Sequence, residues 1–75
     1  MSGHYLAVRH ESYDSDMVYG IFDSLHGAKD RLEQAGDRSA AIELWVDANV
    51  VESWEWLREE WMTWAEYRAS RARNA

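Results

Sequence analysis

The sequence predicts an α+β fold: a three-stranded antiparallel sheet in the order second–first–third, a split β-α-β, with one crossover helix and a C-terminal Trp-rich helix. Three observations point to it. Strand-like runs of alternating, β-branched and aromatic residues occupy positions 4–10, 17–22 and 40–46. An apolar stripe of helical spacing lies between the second and third runs. Four of the five tryptophans then fall within the eleven residues from Trp54 to Trp64, more aromatic surface than so short a chain readily hides.

The first run, His4-Tyr5-Leu6-Ala7-Val8-Arg9-His10, alternates side chains in the strand manner, and the polar segment Glu11 to Asp16 is a connector of hairpin-compatible length. Met17-Val18-Tyr19-Gly20-Ile21-Phe22 reads as the second strand, with Gly20 marking a bulge or a close approach by another element. Asp23 or Ser24 caps a helix over 25–35 whose Leu25, Ala28, Leu32 and Ala35 share one face, and Gly36 terminates it. Ala40 to Val46 reads as the third strand.

A right-handed crossover places the third strand beside the first. The face toward the helix then takes Leu6, Val8, Val18, Phe22, Ile42, Leu44 and Val46. The opposite face takes Tyr5, Ala7, Met17, Tyr19, Ile21, Ala41 and Trp45, an aromatic surface that needs a cover.

The expected cover is a helix over 50–70. Val50, Trp54, Leu57, Trp61 and Trp64 are spaced 4, 3, 4 and 3, the seam of a helix that docks lengthwise on its own sheet or pairs with a second copy. Asn49 or Ser53 could cap it, and acidic residues near its start with Arg68, Arg71 and Arg73 near its end suit the helix dipole. Ser53 to Trp56 as the start of a short fourth strand is the alternative. Trp56 lies off the seam on the flank that leads to Tyr67. The chain is thus expected to be one domain over 1–75: a ββαβ core at 4–47, the amphipathic helix at 50–70 and a frayed end at 71–75.

Seventy-five residues give a small core, and the absence of cysteine removes both disulfides and thiolate metal sites as sources of stability. At 47% hydrophobic and 13% aromatic the chain is too apolar for disorder. No run of 18 apolar residues occurs and the start carries no leader pattern, so a cytoplasmic protein with no membrane contact is expected. The net charge is −6, and all 14 Asp and Glu lie at or before Glu66 while Arg68, Arg71 and Arg73 follow it. An acidic body repels phosphate backbones, which argues against direct nucleic-acid binding and favours solubility or basic protein partners.

Catalytic chemistry finds no footing. His4, His10 and His26 lack the spacing of a helical ligand pair, and His4 and His10 would stand about 20 Å apart along a strand at ~3.3 Å per residue. Asp14, Asp16 and Asp23 do not follow a calcium-loop pattern. The serines lack a nucleophile-elbow setting, there is no Gly-rich phosphate loop, and Glu59 and Glu60 point different ways on a helix. Tyr5, Tyr19 and Trp45 could stack bases on an open sheet face, yet Glu43 stands beside them and Arg9 is the sole basic residue on that face. Neither an enzyme nor a cofactor is expected.

The run Met17-Val18-Tyr19-Gly20-Ile21-Phe22-Asp23-Ser24-Leu25-His26-Gly27-Ala28, preceded by a strand and an acidic loop, resembles a pattern in small bacteriophage proteins, notably of actinobacterial phages. The pattern is a strand ending in Gly-x-Phe, a capping residue, and a helix whose first turn carries Leu and Ala. The resemblance covers about residues 4–47 and stops short of the Trp-rich end. It implies a phage accessory protein acting inside the bacterial cell and transfers no catalytic residue.

The resulting expectation is a non-enzymatic protein that binds and modulates or inhibits a host bacterial protein and is itself a homo-oligomer, a dimer. The expected contact set is Trp56, Tyr67, Glu55, Glu59 and Glu60, with Tyr5, Tyr19 and Trp45 on the sheet; Val50, Trp54, Leu57, Trp61 and Trp64 are expected to dock the helix or join two copies. An acidic nucleic-acid mimic that blocks a DNA-binding or defence complex is one alternative. A structural homodimer or virion component is the other.

Overall fold

The computed structural model describes residues 3–10, 17–57 and 59–74. The connector that holds Asp14 and Asp16, together with Arg58 and Ala75, lies outside the described residues. Two strands, β1 (His4–Arg9) and β2 (Met17–Phe22), precede helix α1 (Leu25–Ala35), and three more, β3 (Ala41–Val46), β4 (Asn49–Leu57) and β5 (Glu60–Met62), precede helix α2 (Trp64–Asn74). The strands form one antiparallel sheet in the order β2-β1-β3-β4-β5.

The sheet therefore has five strands, which overturns the expected three-stranded sheet. The error lies after Val46. Val46 pairs with Asn49 across Asp47 and Ala48, whose φ values of 50° and 68° make the two-residue turn that suits a right-twisted hairpin. This turn directs Asn49–Leu57 back along β3 as a strand, where the expected helix would have begun. Period two then wins over the 4-3-4-3 spacing, with Trp54 and Trp56 on one face and Ser53, Glu55 and Leu57 on the other. A second turn with Glu59 at φ 67° sets Trp61 opposite Trp56. The expected docking seam is dispersed: Trp54 and Trp61 face α1, Val50 and Leu57 face away, and Trp64 opens α2.

Each helix begins at a side-chain cap. Ser24 Oγ accepts from the Gly27 amide at 3.1 Å, and Gly36, at φ 69°, closes α1 by donating to Leu32 O at 2.9 Å. At α2, Thr63 Oγ1 accepts from the Glu66 amide at 3.1 Å while Glu66 Oε1 accepts from the Thr63 amide at 2.8 Å. This reciprocal box starts the C-terminal helix at Trp64, fourteen residues later than the expected start at 50.

The core lies between α1 and one face of the sheet. Ala7, Ala28, Leu32, Ala40, Ile42 and Trp61 form one buried cluster, with Tyr5, Tyr19, Phe22, Leu25, Trp54 and Trp56 packed around it. Because Ala7 pairs with Ile42 and Tyr5 with Leu44, the odd residues of β1 share the α1 face with the even residues of β3. The expected assignment of Leu6 and Val8 to that face is corrected by this register. A bulge in the β1–β2 ladder leaves Tyr19 without a partner between Gly20, opposite Ala7, and Val18, opposite Val8. Tyr19 thereby joins the α1 face. Gly20 leaves room for the Phe22 ring, since a Cβ there would sit 2.9 Å from its Cζ.

Candidate functional site

The face of the sheet turned away from α1 is built by the same registers. Val18, Val8 and Ala41 form one cross-strand row; Ile21 and Leu6 lead to Glu43 in the next; His4, Trp45 and Val50 make a third. Val18, Ile21 and Val50 are 54%, 68% and 45% exposed, whereas Val8, between Val18 and Ala41, is buried at 1%. His4, Leu6, Ile21 and Trp45 surround a shallow depression of about 240 Å³.

This apolar area adjoins carboxylates. Glu43 accepts from the Trp45 indole at 3.0 Å through Oε1 and lies 2.9 Å from His10 Nε2 through Oε2. Glu55, one strand further, accepts from the Trp64 indole at 2.5 Å. Neither carboxylate meets a Lys or Arg among the described residues. Arg9, the one Lys or Arg in the described strands, belongs to the other face, where it reaches Asp37 at 3.4 Å.

The α1 face holds a separate polar cluster. The Tyr19 hydroxyl donates to Asp37 Oδ2 at 2.5 Å, with the Arg31 guanidinium 5.3 Å from the Tyr19 ring centre. That hydrogen bond holds the Asp37 carboxyl below its ordinary range, helped by the Ser39 amide and Arg9, and the same bond raises the Tyr19 hydroxyl above its own. The cluster ties β2 to the α1–β3 loop.

The expected contact residues are divided among four places. Trp45 lines the open depression. Trp56 and Tyr5 belong to the α1 side: Trp56 meets Trp61 edge-on at 5.3 Å with Arg38 4.1 Å from its ring, and Tyr5 tilts against Trp54 at 5.8 Å. Tyr19 is held by Asp37. Tyr67 meets Trp64 edge-on at 5.6 Å, and Arg71 lies 5.9 Å from its ring. Glu59 and Glu60 are exposed around the β4–β5 turn. Leu6, Val18 and Val50 belong to the open face although the sequence expectation placed none of them among partner contacts on it; the unbroken apolar run Tyr5-Leu6-Ala7-Val8 is the signal that both faces of β1 are apolar.

Among the described residues no group of three His, Asp or Glu side chains could hold a metal ion, and no helix is long and apolar enough to cross a membrane. Comparison with family models, with curated proteins and with solved structures finds no match.

Proposed function

We propose that the protein is a non-enzymatic binding module whose bare sheet face is completed by another protein. The observation that carries this reading is the composition of β1 and β2. An antiparallel sheet with one wet face alternates apolar and polar residues, whereas Tyr5-Leu6-Ala7-Val8 and Met17-Val18-Tyr19-Gly20-Ile21-Phe22 do not, and α1 covers one side alone. Such strands suit a sheet covered on both sides. Exposed apolar patches larger than a few hundred Å² mark interaction surfaces, and at about 25 cal/mol per Å² covering about 300 Å² contributes ~7 kcal/mol before ordering costs.

The resemblance of residues 4–47 to small actinobacteriophage proteins supports a bacterial host protein as the partner, met in the host cytoplasm. The test is affinity capture from a bacterial lysate with wild type and a Val18→Glu/Ile21→Glu variant, both confirmed as folded by circular dichroism. A protein retained by wild type at high salt and lost with the variant supports the reading. Equal capture by both chains contradicts it.

A further inference from the structure

We infer that the missing layer is an amphipathic helix of a different protein, carrying Lys or Arg beside its apolar stripe and one large apolar side chain as an anchor. This rests on the reading of the open face as a protein-covered surface and adds the chemistry of what covers it.

Width selects a helix. The apolar rows run over β2, β1, β3 and, at Val50, β4, about 14 Å at ~4.8 Å per step, with Val8 buried and Val18, Ile21 and Val50 exposed along them, and a helix with its side chains is about 10–12 Å across. The molecule already uses this solution, since α1 lies on the other face of β1, β2 and β3. A strand added at the β2 edge would lie in the plane of the sheet beside β2 and leave Leu6, Ile21 and Trp45 uncovered.

The depression selects an anchor. Its volume of about 240 Å³ between His4, Leu6, Ile21 and Trp45 is below the ~300–1,000 Å³ of small-molecule sites, and a single side chain of the docked helix suits it.

Charge selects the partner. Glu43 and Glu55 stand on the open face beside the apolar rows, and Arg9, the one Lys or Arg of the described strands, faces α1. A second copy laid on this face would bring like carboxylates together, each chain carrying a net charge of −6. A helix flanked by Lys or Arg meets the same carboxylates with opposite charge.

The probes are synthetic helical peptides of about 18 residues with a Leu/Phe stripe and a polar face of either Lys or Glu. Binding is followed by amide shifts of the full chain, with its mass measured by light scattering. The Lys peptide is expected to shift the amides of Leu6, Ile21 and Trp45 but not that of Gln34 on α1. It should bind about tenfold more tightly than the Glu peptide at low salt, a gap that shrinks with added salt and in a Glu43→Gln/Glu55→Gln variant. Ile21→Glu and, separately, Val50→Glu should weaken binding about tenfold with the fold intact. Equal affinity for the two peptides, or shifts away from these rows, overturns the inference. A dimer that Ile21→Glu converts to a monomer also overturns it, while leaving the face protein-covered. No peptide binding by a chain that stays monomeric, combined with equal lysate capture by wild type and the double variant, removes both readings.

Discussion

Leu6 and Ile21 stand directly opposite each other on β1 and β2, on the sheet face that α1 leaves bare. Their neighbours Ala7 and Gly20, also a pair, lie beneath α1. One residue step thus separates the buried core from the open apolar face, and the two faces respond oppositely to substitution.

Ile21→Glu should change stability by no more than about 0.5 kcal/mol, because the side chain is 68% exposed on an edge strand. Ile42→Ala should cost about 2–5 kcal/mol, because Ile42 has no exposure and borders Ala7 and Trp54. Urea unfolding of both variants, followed by circular dichroism, checks the contrast. A protein of this size has only a few kcal/mol to lose, so the second variant should be largely unfolded at 37 °C.

Trp56→Ala should act on folding. Its ring meets Trp61 on the core face and lies beneath Arg38, so truncation should cost about 2–4 kcal/mol and lower the urea midpoint. An unchanged midpoint would place Trp56 outside the core and restore it as a surface contact.

The two caps are separate and distant in sequence. Ser24→Ala and Thr63→Ala should each cost ~1 kcal/mol, and the double variant should show their sum to within about 0.5 kcal/mol. Thermal unfolding of the three variants measures this.

The Tyr19–Asp37 hydrogen bond predicts a pH dependence with a definite sign. The folded carboxyl titrates below its ordinary 3.8, so its contribution is fully present above that value and is lost as pH falls through the folded one. The Tyr19 hydroxyl titrates above its ordinary 10.0, so its contribution is fully present below that value and is lost as pH rises through the folded one. Tyr19→Phe should flatten both limbs of a stability–pH curve. Asp37→Asn should flatten the acid limb.

The legible parts of the fold carry local signals. Gly36 ends α1 with a positive φ, Ser24 supplies a cap oxygen, and Gly20 marks both a bulge and the place where the Phe22 ring packs. The region after Val46 was misleading because two physical signals compete there. Asp47 and Ala48 adopt positive φ without the Asn-Gly or Asp-Gly pair that announces such a turn, and the 4-3-4-3 spacing from Val50 to Trp64 coincides with the period-two pair Trp54 and Trp56. The Thr63-x-x-Glu66 box was the readable sign that a helix starts after the strands. For the open face, Ile21, Ala41 and Trp45 follow from alternation in their strands. Leu6 and Val8 do not, because β1 is apolar at both parities and only its pairing with β3 decides which side each residue takes.

The most direct measurement places a photo-crosslinking residue at Ile21, with a second chain carrying it at Gln34 on exposed α1, and irradiates bacterial cells producing each. A protein-covered open face predicts a discrete crosslinked partner from position 21 and none from position 34. Crosslinks of equal yield from both positions, or from position 34 alone, would contradict it.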